Sequence, residues 1–289
     1  MQGGGLTDWL SSLPILAIGF GTFAVMLVAA AAGQVVRQLQ ARRARRVGHE
    51  SEPSVAQEGY LLGGVLGLLG LLLAFSFGMV LNRYESRRAL VTQEANAIGT
   101  AYLRAQLLDE PHRERLSKLL ISYADNRIKL ASVDLAGNPY LATNDRLLTE
   151  IWAAVRASRD SALAHGVTTA LLITFNEVID LDTERKVAWQ LRVPSEVLLL
   201  LIAYLSVTAA VVGHAIDGPR GRRAALVLFL LIALSIGVIT DINRPMSGRS
   251  RESQEPMLML LRSLKSQPPE VFNRFDVPQI DNGRQGLRR

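Results

Sequence analysis

Four runs of residues carry almost no charge, and their lengths decide what this chain can fold into. Leu13 to Val36 and Gly59 to Asn82 contain no acidic or basic residue, Val197 to Ile216 holds only His214 near its end, and Ala224 to Thr240 is shorter but packed with leucine, isoleucine and valine. A bilayer core about 30 Å thick is crossed by about 20 apolar helical residues. In hydrocarbon each unpaired backbone group costs several kcal/mol, so such runs can only be helices. The chain is 49% hydrophobic, yet its apolar residues concentrate in these runs instead of alternating with charge, as they do in membrane proteins. The expected fold is all-α: a four-span helical membrane protein with a helical soluble insertion between spans two and three.

The first run could instead be a signal peptide, since Ala29 to Ala32 offers small residues for cleavage. The residues before it contain Asp8 and no Lys or Arg, however, and the positive cluster (Arg37, Arg42, Arg43, Arg45, Arg46) follows it. That order marks an uncleaved anchor. Basic residues of short loops stay in the cytoplasm. The loop after span three, with Arg220, Arg222 and Arg223, lies on the same side as the first cluster. The expectation is a multi-pass protein of the bacterial inner membrane, with its N-terminus, helical domain and C-terminus extracytoplasmic. Arg244, Arg249 and Arg251 beyond span four oppose this orientation, but the first span usually dominates.

The chain reads as an N-terminal span (1–36), a basic cytoplasmic loop (37–58), a second span continuing as a long helix (59–108), a helical soluble domain (109–195), the third and fourth spans (196–241) and a partly disordered C-terminal tail (242–289). Val91, Ala95, Ile98, Tyr102 and Ala105 alternate spacings of four and three, a heptad-like seam. Asp109, Glu110 and Pro111 break the long helix near Leu108, and a second helix follows to about Ser132. After a loop at Gly137, Asn138 and Pro139, Thr143 or Asn144 caps a third helix to about Ala164; a fourth runs from about Thr168 to Trp189. Pro268, Pro269, Pro278 and many polar groups mark the last 40 or so residues as mostly disordered.

Little in the sequence suggests catalysis. His49, His112, His165 and His214 are scattered without metal-ligand spacing, so no metal or cofactor is expected. There are no cysteines, no phosphate-cradling loop and no Gly-x-Ser-x-Gly elbow. Asp180 and Asp182, beside Glu184, Arg185 and Lys186, read as a solvated helix face. The net charge of +6 comes without a recognition motif, so nucleic acid is not an expected partner; the lipid bilayer is.

Two places stand out. In span two, Gly63, Gly67 and Gly70 lie nearly on one stripe, where helices can approach closely within one chain or between chains. Farther along, Leu71, Phe75, Met79 and Arg83 recur every four residues. These residues could face lipid or a core; they could also form a hydrophobic constriction with an arginine ring at its mouth, which would concentrate anions. One helix cannot enclose a pore, so the second reading requires a homo-oligomer. At the end of span four, Asp241, Asn243, Arg244, Pro245 and Gly248 crowd together. Pro245 and Gly248 explain a helix stop. An acid at the membrane edge usually has a partner, with Arg83, Arg87, Arg88 or Glu94 the candidates to tie this turn to the long helix.

The stretch "FSFGMVLNRYESRRALVTQEANAIGTAYLRAQLL" from Phe75 to Leu108, the arginine-rich first loop, the four-span layout and "DINRPMSG" after span four resemble the bacterial bestrophin-like domain family. The resemblance runs from about Val35 to Leu264; Asn243 stands where the family has aspartate, and Met246 where an aromatic often follows the proline. It implies distant similarity to bestrophins, pentameric anion channels with a hydrophobic neck on the second helix. That neck would map to Leu71, Phe75 and Met79, with chloride or other small anions as the permeant species. Bestrophins keep their helical domain in the cytosol, opposite to the placement that charge gives here. The leading expectation is an oligomeric anion channel, pentameric as the resemblance implies, and not an enzyme. The alternative is a non-conducting membrane scaffold or envelope-stress sensor that binds a partner through the seam of the helical domain.

Overall fold

The computed structural model describes residues 14–47, 55–133, 137–191, 193–244 and 251–275. Among them helix is the only regular structure: α1 (Ile15–Val47), α2 (Val55–Ala105), α3 (His112–Ser132), α4 (Tyr140–Ala157), α5 (Arg159–Ala164), α6 (Thr168–Gln190), α7 (Ser195–Ala215), α8 (Gly218–Ile242), α9 (Glu255–Ser266) and a 3₁₀ segment (Pro269–Phe275). Four helices, α1, α2, α7 and α8, are long and apolar enough to cross a membrane. The chain forms two compact units: residues 1–87 with 188–252, and residues 88–187 with 253–289.

The first unit contains the membrane helices. Its core joins Ile18 and Met26 of α1, Leu69 and Val80 of α2, Leu201, Leu205 and Val212 of α7, and Phe229, Ile232 and Ile236 of α8. Helices α1 and α7 meet backbone to backbone. A Cβ added at Gly33 would lie 2.0 Å from the Ala210 carbonyl oxygen, and one at Gly213 would lie 2.1 Å from that of Ala30. No larger residue fits either position without moving a helix. Such small-residue crossings are how helices gain packing energy in lipid, where burial alone gives no drive.

In the second unit α2 ends at Ala105 rather than Leu108, and a turn carries the chain to Asp109. The seam residues Val91, Ala95, Ile98, Tyr102 and Ala105 are all buried. Leu116, Leu120 and Tyr123 of α3, Ile151 of α4 and Phe175 and Val178 of α6 complete this core. Helix α4 starts at Tyr140, ahead of the expected Thr143 or Asn144 cap; Pro139 stands at the N-cap position, and Asn138 just before it holds the turn. Its Oδ1 accepts the Tyr140 N–H at 3.0 Å, while its Nδ2 donates to the carbonyls of Leu130 and Val133 that end α3. The expected helix to Ala164 is interrupted at Ser158. Gly166 then closes α5 with φ +69°, and the Val167 N–H reaches the Ala162 carbonyl at 2.9 Å.

The expectation of a mostly disordered tail is corrected over residues 255–275. Met257, Leu261 and Leu264 are buried in the core of the second unit, on one stripe of α9. Pro256 sits in the first turn of α9, where its missing N–H costs nothing.

Candidate functional site

In span two, helix α2 presents two unlike sides. Leu69 and Val80 are buried in the core shared with the other spans, and Ser76 and Arg87 are buried as well. Leu71, Phe75 and Met79 face away from the chain, with 50%, 66% and 41% of their surfaces exposed. They are therefore not core residues of the single chain. Arg83, one turn on, is half-buried. Gly63, Gly67 and Gly70 also lie exposed, and a Cβ at any of them would meet nothing within 4 Å. The glycine stripe therefore makes no close contact among the described residues.

The turn after α8 is held from several directions. Asp241 and Arg244 are both buried. Asn243 Oδ1 accepts the backbone N–H of Val193 at 3.1 Å. Arg87 Nη2 donates to the Ile242 carbonyl at 3.0 Å, and Arg87 Nε forms a buried ion pair with Glu252. Among the partners expected for this turn, Arg87 makes a tie through a main-chain carbonyl and a downstream glutamate. Pro245 and Gly248 lie outside the described residues.

Glu94, another of those candidates, belongs to a buried network in the second unit. Arg127 Nε lies 2.8 Å from Glu94 Oε1, and Arg127 Nη1 donates to Asp182 Oδ1 at 2.9 Å. Arg185 pairs with the second oxygen of Glu94. The Tyr123 hydroxyl donates to Glu94 Oε1 at 2.7 Å, and Asn144 Nδ2 to Asp182 Oδ1 at 2.9 Å. Burial alone would raise the Glu94 carboxyl, but Arg127 and Arg185 outweigh it and hold the group below the usual carboxylate range. Burial, and then the Glu94 charge, push Tyr123 well above a normal phenol. Asp182 and Arg185 are thus not the solvated face that their neighbours in sequence suggest. Only Asp180 and Glu184 fit that description; with Gln93, Ile173, Asn176 and Glu177 they line an open groove of about 570 Å³.

Sequence reasoning missed this network, although each helix signals it. In α3, Leu116, Leu120, Tyr123, Arg127 and Leu130 alternate spacings of four and three, so Arg127 stands on the apolar stripe. In α6, Leu171, Phe175, Val178, Asp182, Arg185 and Trp189 do the same. A charge on a buried stripe must find a partner, and these find one another.

These features define an all-helical, four-span membrane protein whose second span presents an unpacked apolar face. A family model described as the Bestrophin-like domain matches residues 23–257, and the chain belongs to that family. Crystal structures of a bacterial bestrophin homolog from Klebsiella pneumoniae, each with a different single mutation, share the fold. One, at 14% identity, covers 86% of this chain and 99% of that chain with a TM-score of 0.61. A second, also at 14% identity, covers 89% and 98% with a TM-score of 0.62. No curated protein matches the chain.

Proposed function

We propose that this protein is a homo-oligomeric anion channel of the bacterial inner membrane, lined by the outward side of α2. Leu71, Phe75 and Met79 form its constriction, and Arg83 stands at the mouth. The observation that carries this reading is Phe75, a large apolar ring 66% exposed on a span whose opposite side is packed. A ring of such side chains narrows a pore and gates it by dewetting. The open stripe of Gly63, Gly67 and Gly70 supports close approach of a second copy. Membership in the Bestrophin-like family and the likeness to a bacterial bestrophin homolog favour a homo-oligomer, and the resemblance to pentameric bestrophins suggests about five copies. Anion preference rests on Arg83, the cation at the end of this series.

The test is ion flux through proteoliposomes containing the full chain, with Phe75→Ala run alongside. Flux that Phe75→Ala increases supports the constriction. A reversal potential in a potassium chloride gradient separates anions from cations; cation selectivity would reject the role of Arg83 and leave the pore standing. No flux from either form, with insertion confirmed, rejects the channel.

Burial of the seam residues weighs against the scaffold or sensor alternative, which would use them as its partner surface. The positive-inside pattern puts the basic loop in the cytoplasm and the helical unit outside. With no native cysteine, single cysteines at Ser51 and Ser132 report sidedness directly. Ser132 is expected to react with an impermeant thiol reagent from outside, and Ser51 is not.

A further inference from the structure

Helix α1 does not stop where its apolar run stops. It continues from Val36 to Val47, about 16 Å past the apolar run at 1.5 Å per residue. On one exposed stripe of this helix, Val28, Val35 and Leu39 are followed by Arg42 and Arg46, spaced by sevens, fours and threes. Arg43 is exposed beside them. The stripe thus passes from apolar to cationic along one line, matching the passage from acyl chain to headgroup.

A second arginine group meets it. Arg37 of α1 pairs with Asp217 at 2.6 Å, which fixes the turn between α7 and α8 against the extended end of α1. Exposed Arg220, Arg222 and Arg223 follow within two turns of that aspartate. Among the described residues, Asp217 is the acid in ion-pair contact with this patch, and it is spent on Arg37. Exposed Arg42, Arg43, Arg46, Arg220, Arg222 and Arg223 make no ion pair among the described residues.

We infer that this convergence of two arginine clusters is a docking surface for anionic phospholipid headgroups, with α1 reading tail and phosphate together. Guanidinium groups bind phosphate oxygens through paired N–H donors, and their side-chain stems lie along apolar surface. Basic residues at a membrane surface each strengthen binding to anionic lipid by about fivefold. The proposal stands whether or not α2 lines a pore.

The test is native mass spectrometry of the full-length protein taken from membranes of equal phosphatidylglycerol and phosphatidylcholine. Phosphatidylglycerol should be retained about tenfold over phosphatidylcholine. Retention should fall when sodium chloride rises from about 50 to about 300 mM, because screening shortens the reach of exposed charges. Arg42→Gln with Arg43→Gln and Arg46→Gln should lower retention, and so should Arg220→Gln with Arg222→Gln and Arg223→Gln. Arg115→Gln with Lys118→Gln, on the helical unit, should not. Equal retention of the two lipids by the unmodified protein overturns the proposal without any variant having to fold. So does retention that survives both arginine sets, or displacement of the lipid by inorganic phosphate at equal concentration, which would mark a free-anion site.

Discussion

Arg127→Met should be the most destabilising single change in the helical unit. The fully buried charges of the network, the carboxylates of Glu94 and Asp182 and the guanidiniums of Arg127 and Arg185, balance two against two, while Lys186 pairs with Asp182 from the half-buried rim. Removing Arg127 leaves two buried carboxylates against one buried guanidinium, at a site where the Arg127 side chain and that of Glu94 have no exposed surface. Glu94 would keep Arg185 and Tyr123, and Asp182 would keep Asn144 and Lys186, so the loss is partial. Breaking a buried pair from one side costs about 3–5 kcal/mol. At about 2–4 °C per kcal/mol for a domain of this size, thermal unfolding should drop by about 6–20 °C. Circular dichroism of the detergent-solubilised full chain measures it. Arg127→Lys should recover little, since one ammonium cannot reach both carboxylates as the fork does. Adding Asp182→Asn to Arg127→Met should restore part of the loss by removing the stranded charge. A melting temperature for Arg127→Met within about 2 °C of the unmodified protein would refute this account.

Gly213→Leu should prevent tight packing of α1 on α7, because even a methyl group there would lie 2.1 Å from the Ala30 carbonyl oxygen; loss of the monodisperse elution peak in detergent reports it, while Gly67→Ala, in open space, should leave the single chain's fold intact. Acid should destabilise the helical unit through Glu94. Its folded pKa lies below its unfolded one, so its stabilisation is present above the ordinary carboxylate range and is lost as pH falls through the folded value. Melting temperatures taken downward from about pH 5 should fall, and Glu94→Gln should start lower but show a shallower slope. Glu252→Gln should loosen the turn after α8 by leaving the buried Arg87 cation without its carboxylate, which faster protease cleavage near that turn would reveal.

The membrane helices were legible because the bilayer imposes a single-residue test, charge or no charge, sustained over about 20 positions. The helical unit was legible only in part, because its helices are built on a weaker signal, the alternation of fours and threes. Where that alternation was purely apolar, as at Val91 to Ala105, it could be read, but not assigned to core or partner; burial decides for the core. Where it carried a charge, as at Arg127, Asp182 and Arg185, neighbouring polar residues masked it, and the local composition pointed to solvent. Helix α9 was hidden in the same way, its Met257, Leu261 and Leu264 stripe set between prolines and polar groups. For span two the limit is of another kind. Periodicity placed Leu71, Phe75 and Met79 on one side of a helix, and the fold shows that side unpacked. What covers it depends on further copies of the chain or on lipid, and neither is specified by contacts within one chain. That side of α2 is where the functional question now lies, and Phe75 is the residue whose removal separates the two answers: a pore residue changes flux, a lipid-facing one does not.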